Sequence, residues 1–205
     1  MEPNARIIAF AHSLFMQRGI RAVSMDEIAA GLGMSKKTLY QFFADKDQLV
    51  EAVVADHLGR MQAEARQWRE QAQDALHEMF ITMEQIQLQL SKMNPILLHD
   101  MQKFHPGAFQ HFRTHKEVFL FQLVRANMQW GIEEGYYRSD LDIDILCRYR
   151  LASMMIPFHT ELFPPAQYNL GQLSQTILQH FVFGLVIWIF NPSIMIYKSI
   201  YRLYI

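Results

Sequence analysis

The stretch SMDEIAAGLGMSKKTLYQFF, from Ser24 to Phe43, constrains this chain more than any other. Ser24 and Glu27 stand three apart ahead of an apolar run, the spacing of a capping box in which each side chain satisfies an orphan N–H at a helix start. The helix that follows buries Ile28, Ala29 and Leu32, and Gly33 ends it by taking the left-handed conformation that a tight helix end demands. Ser35 caps a second helix that turns Leu39 and Phe43 inward and Lys36, Lys37, Thr38, Tyr40 and Gln41 outward. Two short helices joined by a glycine turn, the second opening on cations and hydrogen-bonding side chains, describe a helix-turn-helix.

The surroundings of this motif read as helix throughout. Asn4 to Arg18 carries Ile7, Ala11, Leu14 and Phe15 on one face and stops at Gly19, which makes it a brace for the motif. Asp45 and Gln48 form a second capping pair and open a long fourth helix that runs to about Trp68 or beyond. Apolar steps of three and four continue from Asp74 to Met93, where Asn94-Pro95 breaks them. A short helix reaches about Lys103, His105-Pro106-Gly107 interrupts again, and a Phe-rich helix spans Phe109 to Glu134. Ser139, Asp140 or Asp142 caps a further helix that carries Leu146, Tyr149, Arg150, Met154 and Phe158. Pro164-Pro165 makes a loop, and a final helix starts near Leu170. No alternating strand pattern and no internal repeat are visible.

The segment IAAGLGMSKKTLYQFFADKDQLV resembles the DNA-binding signature of the TetR/AcrR family of transcriptional regulators, I-A-x-x-A-G-V-S-x-x-T-L-Y-x-Y-F-x-x-K-x-x-L. Ile28, Ala29, Gly33, Ser35, Thr38, Leu39, Tyr40, Phe43, Lys46 and Leu49 match as they stand, with Leu32, Met34 and Phe42 as variants for the same buried sites. GIEEGYYRSDLDIDI, from Gly131 to Ile145, is similar to the junction before the dimerisation helices in such proteins. The resemblance implies an all-α chain: an N-terminal three-helix DNA-binding head over residues 1–46, with the helix-turn-helix at 24–43, then a larger helical ligand-binding and dimerisation domain over 47–205. It further implies a ligand-responsive repressor, working as a homodimer that pairs through its last two helices on a near-palindromic double-stranded DNA operator and is released by a small, largely apolar inducer.

Candidate DNA-binding residues are Ser24, Ser35, Lys36, Lys37, Thr38, Tyr40, Gln41 and Lys46. Lysines in the first turn of a recognition helix can donate to guanine O6 and N7, and a glutamine can pair with adenine N6 and N7. Tyr40 and Thr38 suit phosphate contacts that fix register. Lys46, at a helix N-terminus, suits a phosphate as well, and the family likeness assigns it that role. The first 57 residues hold six Lys/Arg against seven Asp/Glu, so the head is not basic overall. From Leu32 to Ala44, however, the only charges are Lys36 and Lys37, which implies moderate non-specific affinity and a modest salt slope.

For the inducer pocket, the bulky adaptable residues Met61, Trp68, Phe80, Met83, Met101, Phe109 and Phe112 are candidates, with Gln87, His99 and His111 as polar contacts. Each of the apolar ones also suits plain core filling. His111 and His115 fall four apart, a spacing that can hold a metal, but no carboxylate or cysteine accompanies them, so neither metal nor cofactor is expected. The single cysteine, Cys147, lies mid-helix without a neighbouring base and suits a reducing cytoplasm. No phosphate loop, nucleophile elbow or metalloprotease motif is present, so an enzyme is not expected. The opening residues carry no secretory leader pattern.

Leu162 to Tyr197 contains no Asp, Glu, Lys or Arg. An apolar, charge-poor segment of this kind suits a homodimer core. The rival reading is a membrane-surface or scaffold protein using this apolar segment. Its densest run, Phe181 to Phe190, is short of the ~20 residues a bilayer core needs, so no stable membrane association is expected.

Overall fold

The computed structural model describes residues 2–186. Its elements are α1 (Pro3–Arg18), α2 (Met25–Gly31), α3 (Lys36–Phe42), α4 (Lys46–Gln71), α5 (Ala75–Leu90), α6 (Ile96–Phe104), α7 (Pro106–Thr114), α8 (Phe121–Glu133), α9 (Ile143–Ser153) and α10 (Leu170–Leu185). A π-helical turn, His115–Leu120, joins α7 to α8. Extended pairing among the described residues is confined to one isolated antiparallel bridge between Tyr137 and Val186. The chain is all-α, as its sequence pattern requires.

Local chemistry sets these boundaries. Ser24, Ser35, Asp45, Asp74, Asp142 and Asn169 each accept a hydrogen bond from the backbone N–H three residues on. Each thereby satisfies one of the orphan donors of a first turn. Gly33, at φ +66°, lets Met34 N–H reach the Ala29 carbonyl and its own N–H reach Ala30, which closes α2 in a Schellman turn. Gly135 ends α8 in the same way.

The capping box at Ser24 forms only halfway. Ser24 caps Glu27 N–H, but the Glu27 carboxylate pairs with Arg18 on α1 and so ties the motif to its brace. At the second box, Gln48 Oε1 accepts from Ala44 N–H at 2.9 Å rather than from Asp45. The helix expected from Phe109 starts earlier, because Pro106 is accommodated in a first turn, where its missing N–H is not needed. The helix expected to carry Met154 and Phe158 stops at Ser153. Pro157 cannot donate, and the chain passes into a 3-10 turn over Ile156–Phe158.

Two apolar cores result. The first joins Ile7, Ala11 and Phe15 of α1 to Ile28, Leu39, Phe43, Leu49 and Val53, and extends to Leu98, Met101 and Ala108 of α6 and α7. It therefore draws on residues from both sides of position 46. The second gathers Leu76, Phe80 and Met83 of α5 with Met128, Tyr137, Cys147, Leu178 and Leu185. Cys147 is fully buried there, and burial pushes its thiol pKa up, so it is a packed apolar group. The apolar tail from Ile187 onward lies outside the described residues.

Within the second core runs a connected polar network. Arg69 Nη1 lies 2.6 Å from Glu78 Oε2, and its guanidinium stacks over the Trp130 ring at 3.6 Å. Asn127 Nδ2 donates to Glu78 at 2.7 Å and to the Ala75 carbonyl at 2.8 Å. The Tyr137 hydroxyl bonds Ala75 O and Asn127 Oδ1. Burial and the nearby Glu78 raise the Tyr137 pKa, so it stays a donor. This network fastens α4, α5, α8 and the turn after α8 in one register.

Candidate nucleic-acid interface and ligand cavity

The α2–turn–α3 unit presents α3 on its outer side. Only Leu39 of α3 is buried, while Lys36, Lys37, Tyr40 and Gln41 are exposed. Phe42, expected inside, is 41% exposed. Phe43 leaves helical geometry (φ −136°, ψ 115°) and turns its own ring into the core, which leaves Phe42 at the rim.

The candidate residues differ in how far their groups are already committed. Ser24 and Ser35 are helix caps, and the Ser35 hydroxyl also bonds Thr38 Oγ1 at 2.8 Å. Lys36 Nζ lies 2.7 Å from Asp26 Oδ1 on α2 and 5.9 Å from the Tyr40 ring centroid. The Asp26 hydrogen bond raises the Lys36 pKa. Lys37 is exposed and makes no ion pair among the described residues, so of the two it is the lysine free to meet a base edge. Lys46 is half-buried: its Nζ donates to the Ile20 carbonyl at 2.8 Å, and burial lowers its pKa. Two of its three N–H donors remain for another acceptor.

The head is fastened to the body by contacts that sequence pattern did not reveal. Asn94 N–H donates to the Met16 carbonyl at 2.7 Å, at the C-terminal end of α1. The buried Asp100 carboxylate of α6 accepts from Arg21 N–H at 2.8 Å. His105 Nδ1 meets Asp47 at the start of α4. A carboxylate in the middle of apolar α6 was the only hint available, and Asn94 read simply as a helix breaker.

Between the two cores lies a cavity of about 170 Å³. Its wall includes His12, Phe15 and Met16 of α1, Val53, His57 and Met61 of α4, Ile86 of α5, Met101 of α6, Phe112 of α7, Arg150 and Ser153 of α9, and Ser174 of α10. Of the expected pocket residues, Met61, Met101 and Phe112 line it. Phe80 and Met83 belong to the second core, packed on the α8–α10 side of α5. Phe109 packs on the first core. His111 is exposed, and His99 is exposed beside a surface depression with Arg18, Arg21 and Lys103. Trp68 and Gln87 are partly buried outside the cavity wall.

Polar groups interrupt the apolar wall. His12 and His57 lie with ring centroids 4.8 Å apart. Desolvation, chiefly, lowers both pKa values, that of His57 to about 4, so both rings are neutral at pH 7. His12 Nε2 and Ser174 Oγ are buried without a hydrogen-bond partner among the described residues. Arg150, 8% exposed, makes no ion pair among the described residues. Helical spacing places Arg150 on one face with Leu146 and Met154, and a charge among those apolar positions is the signal by which the sequence could have marked it.

The pattern for bacterial regulatory proteins, tetR family, matches residues 7–53. An uncharacterized HTH-type transcriptional regulator, YvaF of Bacillus subtilis, is 33% identical over 105 residues, 51% of this chain and 55% of its own length. The chain thus spans about half the length of that relative. The HTH-type transcriptional repressor KstR2 of Mycobacterium tuberculosis is 28% identical over 154 residues, 70% of this chain and 73% of its own. The structure of FadR from Bacillus subtilis, a transcriptional regulator in complex with stearoyl-CoA, superposes with a TM-score of 0.65 at 15% identity, covering 88% of this chain and 98% of FadR.

Proposed function

The chain belongs to the TetR family of bacterial transcriptional regulators, and on that footing we propose that it is a cytoplasmic, homodimeric, ligand-released repressor of a near-palindromic operator. The observation that carries this reading is that the head's own α1 forms part of the cavity wall, through His12, Phe15 and Met16. An occupant larger than the empty cavity presses on the helix that braces α2 and α3. The end of α1 is held by Asn94 and the following loop by Asp100 and Lys46, so displacement of α1 passes to the head as a rigid shift.

In this reading the recognition helix α3 of each subunit enters the major groove of one half-site, at a spacing of about 34 Å in the dimer. A ligand that binds the wrongly spaced form better releases DNA, and operator DNA weakens ligand binding by the same factor. Pairing through the C-terminal helices is supported by two features. Ile145 and Tyr149 are exposed one turn apart on α9, and the exposed stripe of α10, Gln172, Thr176, His180 and Gly184, contains no Asp, Glu, Lys or Arg. Among the described residues no helix is long and apolar enough to cross a membrane.

Selection of genomic fragments by the purified protein, followed by footprinting, tests the whole. A short inverted repeat is expected, and a folded dimer that enriches nothing overturns the proposal. Lys37→Ala is expected to relax preference at one operator position by about 10-fold or more while leaving non-specific affinity nearly unchanged. An unaltered site-selection profile removes Lys37 as a base reader. Lys46→Ala is expected to weaken binding to every sequence and reduce the salt slope by about one unit. It also costs about 1 kcal/mol of stability through the Ile20 carbonyl it leaves behind. A salt titration and a urea melt on the same variant separate the two roles.

A further inference from the structure

Arg150 is a buried charge whose position the fold of the described residues does not account for. It is 8% exposed, on α9, and lines both the main cavity and a smaller neighbouring one of about 60 Å³. A buried guanidinium is ordinarily matched by a carboxylate, because losing its hydration costs several kcal/mol per ion. Glu78 lines the smaller cavity, but its carboxylate is already engaged by Arg69 and Asn127. The Phe181 ring lies 5.9 Å from the guanidinium carbon, a contact with its face that leaves the N–H donors of its edge unspent among the described residues. Burial lowers the Arg150 pKa to about 10, so it remains charged at neutral pH.

The rest of the wall states what kind of molecule the missing counter-charge belongs to. It is apolar apart from a few groups, and Ser174 Oγ is buried in it without a partner among the described residues. At about 170 Å³ the empty space slightly exceeds the roughly 150 Å³ cavity that accepts benzene, room for one ring or a short acyl chain. Met16, Met61, Met93, Met101, Met154 and Met155 line it, and such unbranched side chains yield to a somewhat larger body.

We propose that the inducer is a small apolar carboxylic acid whose carboxylate is held by the Arg150 guanidinium, with the Ser174 hydroxyl as a further donor in the same cavity. The inference rests on the ligand-responsive reading above and narrows it to a chemical class. A bidentate arginine–carboxylate pair supplies direction as well as attraction, and it selects anions over neutral bodies of the same shape.

Calorimetric titration of the full chain with octanoate, phenylacetate, 1-octanol and octylamine tests this without DNA. One of the two acids is expected to bind about 10- to 100-fold more tightly than octanol, with octylamine weakest. The tighter acid identifies an acyl or an aryl body. Arg150→Met is expected to bind octanoate and octanol alike, and Ser174→Ala to lose a few-fold for the acid alone. Octanol binding as well as the acids, neither acid binding, or Arg150→Met retaining the preference for acid each overturns the proposal. If Arg150→Met does not fold, the four-probe comparison on the unmodified chain decides by itself. Footprinting of the empty protein on its selected operator is read separately, so an intact footprint with no acid binding sinks the ligand class and leaves the regulator standing.

Discussion

Replacing Arg69 with methionine is expected to cost about 3 kcal/mol of unfolding free energy, read as a drop in urea midpoint at unchanged slope. The aliphatic stem is kept, so the loss is electrostatic and not a cavity. Glu78, 4% exposed, would face the second core with Asn127 Nδ2 as its remaining donor. Breaking a buried ion pair by removing one partner usually costs about 3–5 kcal/mol. The lower end applies here because the Arg69 side chain is 38% exposed and water can follow it inward. The double variant Arg69→Met/Glu78→Gln is expected to recover most of the loss, since no unpaired charge remains. If the double variant is no more stable than the single one, the stack of Arg69 on Trp130 is the larger contribution and the pair the smaller.

This network shows why part of the fold was legible in sequence and part was not. Helix starts were readable because a cap is local: Ser24, Ser35 and Asp142 bond an N–H three residues away, and spacing alone reveals them. The exposed face of α3 was readable for the same reason, since helical periodicity assigns Leu39 inward and Lys37, Tyr40 and Gln41 outward. Pairings between distant positions leave no such trace. Arg69 meets Glu78 and Asn127, and Asp100 meets Arg21 N–H 79 residues away, through tertiary packing that a periodicity cannot encode.

The cavity illustrates the same limit from the other side. Bulky residues at core spacing identify what is buried, and Phe80 and Met83 are indeed buried. Whether a buried residue faces filled or empty space depends on which way α5 turns among its neighbours α4, α8 and α10, and that is a property of the assembled layers. The stronger sequence signal was the exception to the pattern: His12, His57 and Arg150 are polar groups on apolar faces, and all three line the cavity. Polar residues where periodicity demands apolar ones are the positions that a packed core alone does not explain.

The histidine pair in that wall makes stability depend on pH. The His57 pKa is lowered from 6.5 to about 4, by desolvation first, then by His12, Arg60 and His115, with Asp56 opposing. His12 is lowered as well, by desolvation and Arg60. A base with a folded-state pKa below its unfolded value binds fewer protons folded than unfolded, so acid favours the unfolded chain. The stabilisation is therefore complete above about pH 6.5 and is lost progressively as pH falls towards 4, reaching about 3 kcal/mol for His57. Carboxylates titrate across part of the same window, so the discriminating quantity is the difference between two proteins. His57→Leu is expected to keep the carboxylate part of the acid transition and the smaller part that His12 and His115 contribute, so that its urea midpoints fall less steeply between pH 6.5 and 5.5 than those of the unaltered chain. Parallel curves for the two proteins would mean that His57 is hydrated in solution and that the cavity wall opens to water beside α1.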